Sequence, residues 1–561
     1  MHPLKNKIKK ATSTSRGKII LSITVLIITS AVALAILYWN SIKKTFIRDK
    51  VKLAVQHKSD RLYSIHYDDM ELDEVKGFLS IKNLSLVYDT AKYKALQNKD
   101  IPGTLFKLTI PSIIVSGVQT PKALLTKEII GRKVEIKEPV IEITYTHRGE
   151  DATKKIPADQ VYRQILGDLQ QIKIDSFLID GATITTHDLV TGEQKLLLKN
   201  TNLELRDVAI DSVSNKDSSR LIFSKHLFIV CEKLSWASAD HLYQYSIDSI
   251  VLNADESRVS TKRFAIIPQL DEIKFAQKKV VQTDRYDISL NDINIEKIDF
   301  LSLQKEKIDA DDITIQHASV KIYRDMTRKP DGKSRIGTYP QQRIAQIPLP
   351  VAVKKLVLKN SYVEYKEKGR IMEKIGKVIF ADVNGTFLNI TNEKYSPGRN
   401  GVLTAHINAH FLKKYPVTTS WNFYLNNRKG RFDVSGRLGS LNATGLNELL
   451  EPLGGIKIEK GNIKQLNFNL KADNYNMKGP VTFLYNDLKI AVLKEDEETK
   501  AFSKKKLVSF GANMLIYDNN PTPNKPLRIG KADFKRDTTR SMFHMCWKTL
   551  MDGIKDVAVK N

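Results

Sequence analysis

The chain is expected to be a mostly β protein behind a transmembrane helix, and three observations lead there. An uncharged run of 21 residues follows a basic N-terminus. A ten-residue pattern of one-sided apolar spacing recurs along the body, and helical periodicity is scarce between Leu166 and Asn442.

Residues 1–18 hold six basic side chains and no acid. Ile19–Trp39 then runs without a charge through Leu26 and Leu37, about the length that crosses a bilayer's hydrocarbon core. Tyr38 and Trp39 suit the interfacial belt, and Lys43 and Lys44 can snorkel to headgroups. Ala31-Val32-Ala33 resembles a signal-peptide cleavage site, so removal of the segment stays open. The apolar run continues to Trp39, where a signal peptide would turn polar, and this favours an uncleaved anchor. The basic tail favours a cytoplasmic N-terminus, with the bulk of the chain exported. Ile47, Val51 and Val55, four apart, predict an amphipathic helix over residues 41–58, a stalk or a lid on the first strands.

The repeated pattern is clearest at Phe177–Thr186. Its apolar or small residues are Phe177, Ile179, Ala182, Ile184 and Thr186, at steps of two, three, two and two. The same spacing occurs at Leu79–Tyr88, Val134–Ile143, Ile313–Ile322 and Leu356–Tyr365. It returns at Val378, Phe380, Val383, Gly385 and Phe387, and more loosely from Ile456. Steps of two keep side chains on one face of a strand. The step of three flips the parity, which a bulge or a bend absorbs. The intervals between copies vary, so no strict solenoid is expected. Asp287–Phe300, Leu203–Ile210, Leu403–Phe411, Thr418–Leu425 and Gly430–Leu438 also read as strands.

Arg324–Pro350, with Pro330, Pro340, Pro348 and Pro350, reads as a long loop dividing the chain roughly in half. Leu446–Gly455 is a short helix. Thr539–Val557 is an amphipathic helix with Phe543, Trp547, Leu550, Ile554 and Val557 as its stripe. A cap on the sheet is favoured for it over a second membrane contact, because β edges and ends need cover. The expected divisions are a short cytoplasmic basic tail (1–18), a transmembrane helix (19–39) and an N-terminal helix with first strands (40–165). A central β-repeat region (166–323), the Pro-rich loop (324–350), a further β-repeat region (351–500) and a tail with the amphipathic helix (501–561) follow.

The net charge is +26, of which +9 lies in the first fifty residues. The remainder is thinly spread among acids, without the basic patch and interleaved aromatics of a nucleic-acid binder. Cys231 and Cys546 cannot make a disulfide framework. No phosphate-binding loop, HExxH, paired-cysteine site or nucleophile elbow occurs. His406 and His410 would sit about 13 Å apart on one strand face, too far to share a zinc ion. Asp309, Asp311 and Asp312 lack the calcium loop's alternation and read as a solvated turn. No catalytic, cofactor or metal residue is expected, and no enzyme activity.

What remains is an apolar strand face that needs cover. Its candidate residues are Leu79, Ile81, Val134, Ile136, Phe177, Ile179, Ile184, Ile313, Ile315, Val320, Leu356, Leu358 and Val363. Left in water it would be unfavourable by about 25 cal/mol per Å². The residues alone leave two covers open: bound acyl chains, or a second sheet in a sandwich.

Three stretches resemble the AsmA-like family of Gram-negative envelope proteins, the group that includes TamB and YhdP. They are GFLSIKNLSLVYD at Gly77–Asp89, behind the anchor and its helix; TIPSIIVSGVQTPKALLTKEIIGRKVEIKEPVIEI at Thr109–Ile143; and LNATGLNELLEPLGGIKIEKGNIKQLNFNLKA at Leu441–Ala472. The resemblance implies an elongated, twisted antiparallel β-groove, a half-pipe apolar inside and polar outside, with short capping helices. It makes residues 40–165 and 351–500 the N- and C-terminal AsmA-like parts. It implies a single-pass inner-membrane protein, mostly periplasmic, that binds or conducts phospholipids between membranes and supports outer-membrane biogenesis. Its partners would be membrane phospholipids, without nucleic acid. The alternative is a non-catalytic scaffold recruiting envelope proteins through its outer face or strand edges. The chain is much shorter than TamB or YhdP, which argues against a full envelope-spanning bridge.

Overall fold

The computed structural model describes residues 52–560 apart from 97–101, 147–161, 370–373, 394–400, 496–501, 505–515 and scattered positions between 54 and 168. The expected anchor, with Ile19, Leu26, Leu37, Tyr38 and Trp39, lies outside the described residues, as does most of the helix expected over residues 41–58. Among the described residues no helix is long and apolar enough to cross a membrane. Strand accounts for 59% and helix for 15%, so the fold is mostly β. The helices are α1 (Thr90–Ala95), α2 (Glu272–Lys279), α3 (Phe300–Gln304), α4 (Pro340–Ile344), α5 (Asn447–Gly454) and α6 (Met542–Ala558).

The chain forms two compact units. The first takes the described parts of Met1–Ala237 with Tyr245–Lys262 and Lys297–Glu306. Its strands are β1 (Tyr63–His66), β2 (Asp69–Asp73), β3 (Phe78–Tyr88), β4 (Thr104–Ser116), β5 (Glu128–Lys137), β6 (Val140–Tyr145), β7 (Gln171–Asp188), β8 (Gln194–Ile210) and β9 (His226–Ala237). β1 and β2 pair with opposite ends of β3, which is antiparallel to β4. β5 and β6, the two halves of one kinked strand, are antiparallel to β4 and parallel to β7. β8 and β9 add antiparallel. The residue ranges of β10 (Tyr243–Asn253) and β11 (Arg258–Pro268) are divided between the two units.

The second unit takes Ser238–Gln244, Arg263–Glu296 and Lys307–Asn561. Its strands are β12 (Arg285–Glu296), β13 (Ile308–Asp325), β14 (Val351–Lys368), β15 (Ile375–Thr391), β16 (Val402–Phe411), β17 (Tyr415–Tyr424), β18 (Phe432–Leu438), β19 (Leu441–Asn442), β20 (Ile456–Ala472), β21 (Asn476–Glu495), β22 (Phe502–Lys504) and β23 (Ile529–Lys535). Among the described residues the strands here pair antiparallel except β13 with β14.

Parallel neighbours need a connection that returns the length of the strand. This is why the proline-rich stretch is long: residues 326–350 carry the chain from the end of β13 back to the start of β14. The loop therefore lies inside the second unit rather than between two halves. Residues 146–170 make the corresponding return from β6 to β7, also 25 residues. The two units repeat one plan at an offset of 179 positions (313 less 134, and 356 less 177). β5 with β6 matches β13, and β7 matches β14, both of 18 residues.

The step of three is a backbone event. The residue before the third apolar position is left-handed in copy after copy: Asn83, Glu138, Gly181, His317, Asn360 and Asp382 have φ between 47° and 69°. One residue in that conformation inserts the extra position of a bulge, and Gly, Asn and Asp tolerate it best. Amide side chains of adjacent strands secure the kinks. Gly181 N–H donates to Asn202 Oδ1 at 2.8 Å, Asn360 N–H to Asn384 Oδ1 at 3.1 Å, and Asn291 Nδ2 to the His317 carbonyl at 2.8 Å.

β16–β21 and β23 share a closed core with α6 and the loop. Tyr339, Phe432, Leu470, Met477, Val481, Tyr485, Met545 and Val557 are fully or almost fully buried in it. α6 packs on β21 and β23, in keeping with the cap reading. The buried stripe is Met542, Met545, Thr549, Gly553 and Val557; of the predicted one, Val557 is buried and Leu550 and Ile554 pack partly buried against the core, but Phe543 and Trp547 are exposed. Close approach decides this: Gly530 and Gly553 let helix and strand backbones meet where a Cβ would stand about 2 Å from a carbonyl oxygen.

Candidate functional site

The kinked strands bring the predicted residues into rows across each sheet. In the first unit Ile81 is level with Ile113, Ile136, Ile179 and Leu203 on successive strands. Leu79 is level with Val115, Val134, Phe177 and Leu205. Ile184 lies between Ile141 and Leu198. Here Leu79, Ile81, Val134, Ile136, Phe177, Ile179 and Ile184 are 0–5% exposed, so the protein itself covers them.

The second unit repeats the rows with a different outcome. Ile313 is level with Leu356 and Phe387, Ile315 with Leu358 and Gly385, and Val320 with Val363 and Phe380. β12 extends these rows through Ile295 and Ile288. Ile313, Ile315, Val320, Leu356, Leu358 and Val363 are all only half-buried, as are Ile288, Phe380 and Phe387. At Gly385 the Phe387 ring and Ile407 stand 3.1 and 3.5 Å from where a Cβ would be, so neighbouring side chains fill the place that a side chain takes in another copy.

A polar row ends this face. Arg324 and Glu367 lie beyond Ile322 and Tyr365 on β13 and β14, and Asp284 precedes β12, two residues before Tyr286. Arg324 donates from Nε and Nη2 to the two Asp284 oxygens at 2.7 and 2.8 Å, and the Tyr365 hydroxyl donates to Glu367 at 2.7 Å. Burial opposes the Arg324 charge, but the Asp284 carboxylate outweighs it and raises the guanidinium's pKa. Burial beside Asp284 pushes the Tyr286 phenol up to about 12. The row is ion-paired and hydrogen-bonded along its length.

The other candidates among the described residues stand in separate contacts. His410 faces Asp382 at 3.2 Å and His406 meets Ser420 at 2.9 Å, separate contacts with no shared centre. Asp309, Asp311 and Asp312 are ion-paired with Lys307, Lys354 and Lys355. Among the described residues no group of acids, histidines and cysteines has metal-holding geometry. Cys231 and Cys546 are free thiols, and burial raises both, Cys546 to about 12.

Two strands expected only as plain alternating segments also carry the kinked pattern. β12 carries Ile288, Leu290, Ile293 and Ile295 around a left-handed Asp292, and β8 carries Leu196, Leu198, Leu203 and Leu205 around Asn200. The signal that would have found them is the Asn or Asp before the third apolar position. No protein-family model matches the chain, and no curated protein sequence matches it.

Proposed function

We propose that this protein is an AsmA-like envelope protein, anchored in the inner membrane by Ile19–Trp39, whose second unit binds phospholipid acyl chains along β12–β15. The observation that carries the reading is the contrast between matching rows. One plan of strands buries its apolar face in the first unit and leaves it half-open in the second. Apolar surface held open on rigid strands is favourable only when something apolar covers it, and a fatty tail matches a straight row of Ile, Leu and Val. The half-pipe implied by the family resemblance is the shape this requires. The protein would hold lipid for carriage between the two membranes, in support of outer-membrane biogenesis, without catalysis.

A photo-crosslinking residue placed in turn at Ile315, Val363, Ile81 and Lys359 tests this in cells. Phospholipid adducts are expected at Ile315 and Val363, and none at buried Ile81 or at outward Lys359. Absence of lipid at Ile315 and Val363 overturns the proposal, and protein adducts at Lys359 alone would favour scaffolding.

A further inference from the structure

One end of the second unit's closed core is a plate of turns tied together by a buried arginine. Arg536 is 5% exposed and donates from Nη1 to the Tyr339 hydroxyl at 2.9 Å and from Nη2 to the Arg335 and Arg540 carbonyls at 3.1 Å. Its backbone N–H donates to the Tyr475 carbonyl at 2.7 Å. The Tyr339 hydroxyl donates to the Asp473 carbonyl at 2.9 Å. Asn474 joins the next turn, its N–H donating to the Lys429 carbonyl at 2.8 Å. Gln341 bonds the Gly430 and Arg431 carbonyls from the returning loop. Gly430 has φ +68°, and a Cβ there would stand 2.5 Å from Asn474 Oδ1, so the turns fit closely.

This rigid plate presents an uneven surface. Arg343, Arg428, Lys429, Arg431 and Lys535 are all exposed on it. Of the described acids nearby, only Asp433 lies against one of these cations, 3.9 Å from Arg431, and the others are engaged elsewhere. Asp473 accepts from the backbone of Tyr475 and Asn476, and Asp537 from Thr539. Between the cations stand apolar groups in water: Tyr475 is 53% exposed and Ile336 37%. Phe543, 70% exposed, follows in the first turn of α6.

Cations with an exposed tyrosine and aliphatic side chains on one rigid surface match the interface of an anionic bilayer. The charges attract acidic headgroups, and the aromatic and aliphatic groups enter the headgroup layer. A nucleic acid or an acidic protein would use the charges but gain less from Ile336 and Phe543. We infer that the plate formed by the Arg428–Arg431 turn, the Asp473–Asn476 turn and the loop around Ile336 docks on the surface of a membrane containing acidic phospholipid. The inference stands apart from lipid binding along β12–β15, since none of its residues lies on those strands.

The test uses the full-length chain immobilised through an N-terminal tag, washed free of detergent and offered fluorescent vesicles. Phosphatidylglycerol-rich vesicles should be captured and pure phosphatidylcholine vesicles should not. Each cation near an acidic surface is worth about fivefold in binding, so Arg428→Glu with Lys429→Glu should cut capture by more than about twentyfold. Raised salt should also weaken it. Tyr475→Ser should weaken capture at unchanged charge. Lys413→Glu with Lys414→Glu, an equal charge change on exposed residues at the opposite end of β17 from the Arg428–Arg431 turn, should leave it unaltered. Equal losses in the two double variants overturn the inference, as does undiminished capture by the Arg428/Lys429 variant. Loss on charge reversal, with Tyr475→Ser indifferent and free DNA competing, assigns the turn to polyanions and also overturns it.

Discussion

His544 shows what burial does to one side chain. Its imidazole is pushed down to about 4 by burial, and the Arg540, Lys548 and Arg324 charges add to the effect. An unfolded histidine titrates near 6.5, so on acidification the unfolded chain takes up its proton first. The stability tied to this group is complete above about pH 6.5 and is lost as the pH falls towards 4. Urea unfolding across that window should show a falling stability that His544→Gln flattens; coincident slopes would locate the acid sensitivity elsewhere. Gly181 makes a second point. With φ +69° and Glu138 Cγ 3.2 Å from where a Cβ would stand, Gly181→Ala is expected to lose about 1–2 kcal/mol. Asn360→Gly, at the matching kink, should be close to neutral by the same denaturation measurement. The spacing of Phe177–Thr186 announced a kink, but which residue would carry the positive φ needed the backbone.

Among elements, β23 and α6 illustrate how an edge is closed. The Lys531 and Asp533 N–H groups of β23 donate to Asp556 and Asp552 of α6 at 2.8 and 3.0 Å. Two carboxylates one helical turn apart thus occupy backbone donors that an exposed edge offers to other strands. Asp552→Ala with Asp556→Ala should lower stability by about 1–2 kcal/mol and produce concentration-dependent association in sedimentation runs. The returning loop is held in a comparable way through Tyr339. Tyr339→Phe keeps the packing against Phe432, with centroids 5.2 Å apart, but strips Arg536 of a partner. A loss of about 1–3 kcal/mol is expected, read by thermal and urea unfolding. The existence of α6 was plain from its periodicity. Only the Leu550, Ile554 and Val557 part of its stripe was, because Thr549 and Gly553 allow a closer contact with β23 than the larger Phe543 and Trp547.

At the scale of the whole chain, the two 25-residue returns set the topology. β14 pairs with β13 along 18 residues, a span of about 55 Å. An extended connection needs at least about 16 residues to cover it. Cutting residues 326–350 to ten should therefore prevent the parallel pairing and give insoluble protein. A 20-residue Gly/Ser replacement should restore solubility, with stability reduced by loss of the Tyr339 anchor. Recovery of a soluble ten-residue variant would show that the pairing does not depend on the return. The 179-residue offset was present in the sequence, yet it is hidden in intervals that vary when every copy is counted, and only paired strands show which copies correspond.

The sequence by itself determined the mostly β character, the one-sided faces and their kinks, because side-chain alternation and left-handed tolerance are local properties of a strand. It also lacks the short, recognisable spacings of the familiar metal and catalytic motifs. Tertiary structure alone decided which apolar rows are sealed and which stand half-open. Ile179 and Leu358 occupy the same place in the same motif, and cover is a matter of what distant parts of the chain lie over each.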